Sequence, residues 1–569
     1  MRACALIATA VLATAACGGD DDDDTSSDDT SASAPATEAP SATDGGSATT
    51  AGGGTEPVAT TEDSSATTDG GDAAPAAEPS GSLKAAYPAG SRSLDPHKQA
   101  YVVDAMYTFP LFDRLTKINN KTFAVEPMLA TSWEFAADGS TLTMELRDDV
   151  TFNDGTPFDA AAVVANIEQQ INGDDTFTMK GLLSSVASVE ATGDYEVVFT
   201  LNPGVGAELP ENLATAAGAM ISPEAIAAGT DLTVTPGDAG SGAYLLTEYD
   251  PTAKYVYDNA PADYWDPEAG RLEQLEIDIV PQTAARVTAV RTGEADFAHI
   301  QLPEAMEALD LADQGEFNAF KVENFLSSHA LEFNGADPAL SDPDVRKAIA
   351  MAIDRQGISD GLFGGGCTVS DDIYPESHWA ANPEMEGTLT YDPEAAQQLL
   401  TDAGVTSMDV NMLVIGGGSP FELVATAVQA QLQEVGINAT IDPRATAADA
   451  LVAFRNNEAP MFESSITASP SPSVLLNDYF IGTYPLVADE ASRTEITDEA
   501  SSALDPALDQ EERGDIYRDI WTKVADGNWY VPVCRTFQTY AYGDNVGGIE
   551  DMGLIYSGYF DFRSVYVEE

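Results

Sequence analysis

Apart from carboxylates, this 569-residue chain has few side chains that could do chemistry: four histidines, two cysteines beyond the N-terminal region, and scattered hydroxyls. His97, His299, His329 and His378 lie far apart, and no two stand i, i+4 on a helical pattern. A metal gripped by paired imidazoles on one helix face is therefore not expected. Cys367 and Cys534 are not part of a Cys-x-x-Cys pair, which argues against a structural zinc site or a redox motif. In an oxidising compartment they can form one disulfide or stay as two buried thiols. Nucleophilic catalysis would need a Gly-x-Ser-x-Gly elbow or a reactive cysteine with a histidine partner, and neither pattern stands out. With 94 acidic residues, counting does not single out a glycosidase-type carboxylate pair. No cofactor is expected.

Two glycine turns precede helical patterns and so resemble anion sites. In TFNDGTPFDAAAV (151–163) the turn is Asn153-Asp154-Gly155, after which Thr156 can cap a helix that opens with Pro157. A phosphate there would face Asp154 and Asp159 with no base nearby, so the stretch reads as a structural joint. GGGSP (416–420) lacks the lysine of a phosphate loop and reads as a strand-to-helix turn.

The elements that must position these residues alternate. Strand patterns occur at SLKAAY, STLTMELRDDVTF, DYEVVFTL, LEQLEIDIV and HALEFNG, and GSGAYLLTEY with KYVYDN reads as a hairpin. DPDVRKAIAMAIDRQGISDGLF reads as one long helix, with Val345, Ile349, Ala352 and Ile353 on a face. MDVNMLVIGGGSPFELVATAVQAQLQEVGINATID is a parallel βαβ pattern, and the fold class is α/β.

The charge is unusual: 25 bases against 94 acids, a net of -69. A surface so negative disfavours nucleic acid and anionic lipid as partners. Residues 1–16 (MRACALIATAVLATAA) read as a signal peptide, with small residues before Cys17, the expected site of lipidation. Residues 17–82 hold fifteen acids, no base and almost no large apolar side chain, and read as a disordered acidic tether. The remaining body keeps 79 acids and 24 bases, or -55.

Within that body, SLDPHKQAYVVDAMYTFPLFDRLTK, then EPMLATSWEFAADGSTLTMELRDDVTFNDGTPFDAAAVV, GSGAYLL, DYW, TGEADFA, LEFN, DPDVRKAIAMAIDR and YDPEAAQQLLTDAG follow one another. In that order they resemble the family 5 extracellular solute-binding proteins, the oligopeptide, dipeptide and nickel receptors of ABC importers. The resemblance implies a two-lobed, periplasmic-binding-protein-like clam of type II with an extra subdomain and a hinge of two crossing segments. Lobe I would hold 83–112, 236–333 and 534–569, the accessory subdomain 113–235 and lobe II 334–533. The chain would cross between lobes near Asn334 and Cys534. Ligand would meet Tyr101 and Val102, the hinge-side Asn334 and Arg535, an aromatic wall at Trp379, and hydroxyls of Ser464, Ser465, Thr467 and Ser469.

Peptide receptors of this family carry an aspartate that pairs with the ligand's ammonium, and here that position falls at Ala468. Either the solute is a neutral one held by hydroxyls, so that tri-alanine binds poorly, or an acid from elsewhere, such as Asp371, substitutes. The expected function is capture of a peptide-like or other small polar organic solute and delivery to a membrane permease, by a monomeric lipoprotein outside the cell membrane. The alternatives are a secreted α/β hydrolase and a sensory solute receptor.

Overall fold

Strand Ser82–Tyr87 lies at the centre of a seven-stranded sheet because it is apolar on both faces, with Leu83, Ala85, Ala86 and Tyr87 all buried. It pairs in parallel with Gln274–Ile279 on one side and Phe297–Ile300 on the other. The hairpin Tyr244–Asp250 and Lys254–Asn259 extends one edge, and Gln538–Tyr542 with Asn318–Val322 the other. The chain is described here from a computed structural model over residues 79–99, 102–260, 264–302, 304–482, 486–552, 554–556 and 559–568. The leader, Cys17, most of the tether and Tyr101 lie outside the described residues, as does the side chain of Val102.

A second, five-stranded sheet runs in the order Ile437–Arg444, Met408–Ile415, Met461–Thr467, Ser327–Phe333 and Tyr530–Arg535. Its first two strands are parallel and joined by helix Pro420–Glu434, the βαβ unit read from the sequence. GGGSP is the turn into that helix: Ser419 caps it, and Gly417 and Gly418 take positive φ. The chain changes sheet at residues 323–326 and again at 536–537. Ser327–Phe333 thus belongs to the second sheet, and the first crossing precedes Asn334 rather than falling beside it. Cys534 likewise lies near the end of a strand of the second sheet, Tyr530–Arg535, just before the return crossing. The two cysteines are bonded, with Cα atoms 5.5 Å apart, so the loop after helix Arg355–Phe363 is tied to the strand that leads into the hinge.

A third sheet is antiparallel, Ala130–Phe135, Thr141–Leu146, Glu196–Leu201 and Val186–Ala191, and it packs on helix Ala160–Ile171. That helix buries Ala160, Val163 and Ile167 at its apolar spacing, in one cluster with Leu142, Met144 and Phe199. The joint at 151–163 lies here, with one correction. Asp159, not Thr156, is the cap, its carboxylate accepting from the Ala162 amide at 2.9 Å. Asp154 folds the preceding turn by accepting from the Thr156 amide at 2.8 Å. A second correction concerns residues 343–363. They form two helices, Pro343–Met351 and Arg355–Phe363, because Asp354 caps a new start by accepting from the Gly357 amide at 2.8 Å.

Candidate functional site

Three stretches of chain from different parts of the fold enclose a cavity of ≈ 670 Å³. Gln99, Ala105 and Phe109 come from the segment after the first strand of the seven-stranded sheet. Thr178, Met179, Leu182, Asn212 and Ala216 come from the part that carries the antiparallel sheet. Ser473, Val474, Asn477, Asp478 and Leu504 come from insertions of the five-stranded sheet. The size suits a small organic molecule, and the wall mixes apolar surface with a few amides and hydroxyls.

Each wall is held by its own bonds. Gln99 Nε2 donates to Thr108 Oγ1 at 2.5 Å, and the Gln99 carbonyl accepts from Thr178 Oγ1, which joins the first wall to the second. Asn212 Nδ2 donates to the Leu182 carbonyl at 3.0 Å, while its Oδ1 accepts from Ser471 Oγ at 3.0 Å, which joins the second to the third. Asn477 and Asp478 sit on a π-helical turn, Leu476–Ile481, a rare form of backbone that is frequent at functional sites.

Beside the cavity, two buried carboxylates bridge the same parts. Glu208 accepts from Ser473 Oγ at 2.5 Å and from Tyr517 OH at 2.5 Å. Glu211 lies 3.9 Å from Arg513. Burial raises both carboxyls, and Glu211 reaches about 7, with Arg513 opposing the rise and Glu208 adding to it. Trp379 belongs to this contact and not to the cavity wall. Its ring meets Tyr517 edge-on at 5.6 Å and lies 4.9 Å from the Arg513 guanidinium.

The other expected site residues are placed as follows. Ser464 is buried with its hydroxyl on Glu332, and Thr467 Oγ1 meets Ser327 Oγ at 3.1 Å. Ser469 is buried, its Oγ accepting from the Ser471 amide at 3.1 Å. Ser465 pairs across the sheet with His329. None of the four lines the cavity. The wall begins at Ser473, further along the same segment. Asn334 is at the end of its strand away from the hinge, its amide donating to Asn457 Oδ1 at 2.5 Å. Arg535 does sit at the crossing, but its Nη2 donates to Ser370 Oγ and to the carbonyls of Asp372 and Tyr374 at 2.8–2.9 Å. It braces the loop that follows the disulfide. Asp371 does not stand in for the acid missing at Ala468. Its Oδ1 pairs with Arg355 at 2.6 Å and its Oδ2 accepts from the Leu389 amide at 3.0 Å.

The histidines are core groups. His97 and His378 bond the carbonyls of Ala219 and Pro470 at 2.8 and 3.0 Å, and His299 meets Gln538 at 2.6 Å. Burial lowers all four, His299 and His378 to about 3, so they are neutral near pH 7. His329 meets Glu463 at 3.1 Å, and burial pushes that carboxyl up and His329 down to about 4. Among the described residues no three His, Cys, Asp or Glu side chains gather into a metal-ligand group.

With this geometry in place, the comparisons with known proteins define the class. The family described as "Bacterial extracellular solute-binding proteins, family 5 Middle" matches residues 124–484, and the chain belongs to that family. The glutathione-binding protein GsiB of Escherichia coli K12 is 29% identical over 324 residues, 57% of this chain and 62% of that protein. GsiB of Salmonella typhimurium LT2 is 30% identical over the same length, so the chain matches under two thirds of these relatives. Among solved structures, NikA from Brucella suis in complex with Fe(III)-EDTA superposes with a TM-score of 0.76 at 24% identity, covering 86% of this chain and 100% of NikA. DppA from Helicobacter pylori in complex with peptide STSA gives 0.70 at 22% identity, covering 86% and 98%. These likenesses establish the fold: a two-lobed α/β clam of the periplasmic-binding-protein kind.

Proposed function

We propose that the protein is the substrate-binding component of an ABC importer, which takes a small organic solute between its lobes and presents the closed form to a membrane permease. One observation carries the reading. The cavity is walled by segments from both sides of a crossover that, among the described residues, is made of two strand connections, 323–326 and 536–537. A solute in such a cavity touches both sides at once and so favours the closed arrangement. A micromolar solute releases about 8 kcal/mol in all, part of which can drive closure. The relatives named above are binding proteins, and the binder reading is preferred here to the hydrolase on that ground.

The same reading takes residues 1–16 as the export signal, Cys17 as the lipid anchor and the acidic segment after it as a tether. Among the described residues no helix is long and apolar enough to cross a membrane. Native mass spectrometry of the purified full chain tests the function. A retained small molecule, released on mild unfolding and unaltered after prolonged incubation, is expected. Steady conversion of that molecule into product would instead indicate an enzyme.

A further inference from the structure

The two sides of the cavity are fastened to each other behind its wall, and three lining residues carry the bonds. The hydroxyl and the amide of Ser473 both donate to Glu208, Asn212 accepts from Ser471 Oγ, and the Leu504 carbonyl accepts from the Ala207 amide at 3.1 Å. Residues 207–212 belong to the part that carries the antiparallel sheet, and residues 471–517 to the insertions of the five-stranded sheet. Two carboxylates are shut inside this contact, Glu208 at 2% and Glu211 at 5% exposure, and parting the two sides returns both to water. Resting on the reading of this cavity as a solute site that closes, we propose that Glu208 and Glu211 are positioning residues of that site and form its latch. Glu208 holds the Ser473 wall in place, and Glu211 makes closing a proton-taking step, so that the closed form is favoured in mild acid and released as pH rises.

Geometry divides the two roles. Three donors from the opposite side reach Glu208: the Ser473 hydroxyl, the Ser473 amide and Tyr517 OH. That makes Glu208 a mechanical tie. Arg513 stands 3.9 Å from Glu211, beyond hydrogen-bond range, and Glu208 adds a like charge one turn away. Other charged groups on the elements around this turn are engaged elsewhere. Lys117 of strand Thr116–Ile118 pairs with Glu126 at 3.7 Å, and Lys180 of the turn Thr178–Leu183 with Asp175 at 3.0 Å. On helix Gln510–Asp526, Arg518 pairs with Asp515 at 2.5 Å, and Asp515 and Asp519 are exposed. Burial therefore raises the Glu211 carboxyl from 4.5 to about 7, with Arg513 opposing and Glu208 adding. A carboxyl raised in the closed form and ordinary in the open one takes up a proton on closing within that window. The preference for the closed form is complete below about pH 4.5 and is lost as pH climbs to about 7.

Hydrogen exchange read by mass spectrometry tests the latch without any solute. The full chain, stripped of any retained compound, is exchanged for milliseconds to seconds at pH 5 and at pH 8, wild type beside Glu211→Gln. The reporters are the amides of Ala207 and Ser473, which donate across the contact. At pH 8 both are expected to exchange at least about tenfold faster in wild type than in Glu211→Gln, within the roughly 300-fold that a rise from 4.5 to about 7 allows. At pH 5 the two proteins should agree within about threefold. Ser473→Ala removes only the hydroxyl donor to Glu208 and should speed both reporters about tenfold at pH 5. Over the same seconds the central strand Ser82–Tyr87 stays protected in all three proteins, because opening the latch leaves that core folded. Equal rates at pH 8, a gap of the same size at pH 5, no effect of Ser473→Ala, or reporters that exchange together with Ser82–Tyr87 overturns the latch and leaves the cavity as a solute site. The receptor reading is judged separately, by whether the purified protein retains any small molecule at all.

Discussion

Replacing Glu211 with Gln should stabilise the protein at pH 8 and leave it nearly unchanged at pH 5. Burial, with Glu208 adding to it and Arg513 opposing, raises the Glu211 carboxyl from 4.5 to about 7. At about 1.36 kcal/mol per pH unit, that shift corresponds to ~3 kcal/mol. An acid whose folded pKa is raised binds its proton more tightly when folded, so its contribution is complete below about pH 4.5 and is lost as pH rises to about 7. Gln imitates the protonated form and does not suffer the loss. For a body of about 490 residues, an unfolding entropy of about 2.1 cal/mol/K per residue makes ~3 kcal/mol equivalent to ~3 °C. The assay is thermal unfolding of wild type and Glu211→Gln from pH 5 to 8, with the exposed Glu134→Gln as a control for removing one charge. The variant's advantage should grow through the window from 4.5 to 7. A difference that is flat with pH, or matched by the control, would refute the reasoning.

Further outcomes follow from the same contacts. Cys367→Ala with Cys534→Ala opens a bridge spanning 167 residues and should cost ~2–5 kcal/mol, read as a lowered melting temperature matched by wild type under reducing conditions. Val474→Trp puts an indole into the ≈ 670 Å³ cavity and should abolish retention of the co-purified compound while leaving far-UV circular dichroism intact; undiminished retention would place the solute elsewhere. Arg535→Met removes the donor to Ser370 and two carbonyls and should cost ~1–3 kcal/mol, whereas Ser464→Ala should leave solute affinity within about twofold, because that hydroxyl faces Glu332.

Much of the fold is legible in local pattern. The strand at 82–87, the hairpin at 244–259 and the βαβ unit at 408–444 announce themselves through apolar periodicity and turn residues. Two failures are instructive. The apolar face from Val345 to Ile353 runs on past a point where one carboxylate, Asp354, restarts the helix; periodicity records the buried face and not the competing cap. Asn334 follows a strand whose composition suits either sheet, and only pairing with Met461–Thr467 assigns it to the second. The cavity was harder to read. Ser464, Thr467 and Ser469 have the right chemistry, but whether a hydroxyl meets solute or a buried Glu332 depends on partners far away in sequence. Asp478 lay within the same segment, and what aims it at the cavity is a π-helical turn that no short pattern encodes.

Receptor function requires that a guest draw the two lobes together. Small-angle X-ray scattering of the protein, stripped of its retained compound and then reloaded with it, tests this directly. A smaller radius of gyration in the loaded form is predicted, with Val474→Trp giving the stripped profile in both conditions. Superimposable profiles at demonstrated saturation of the wild type would contradict it.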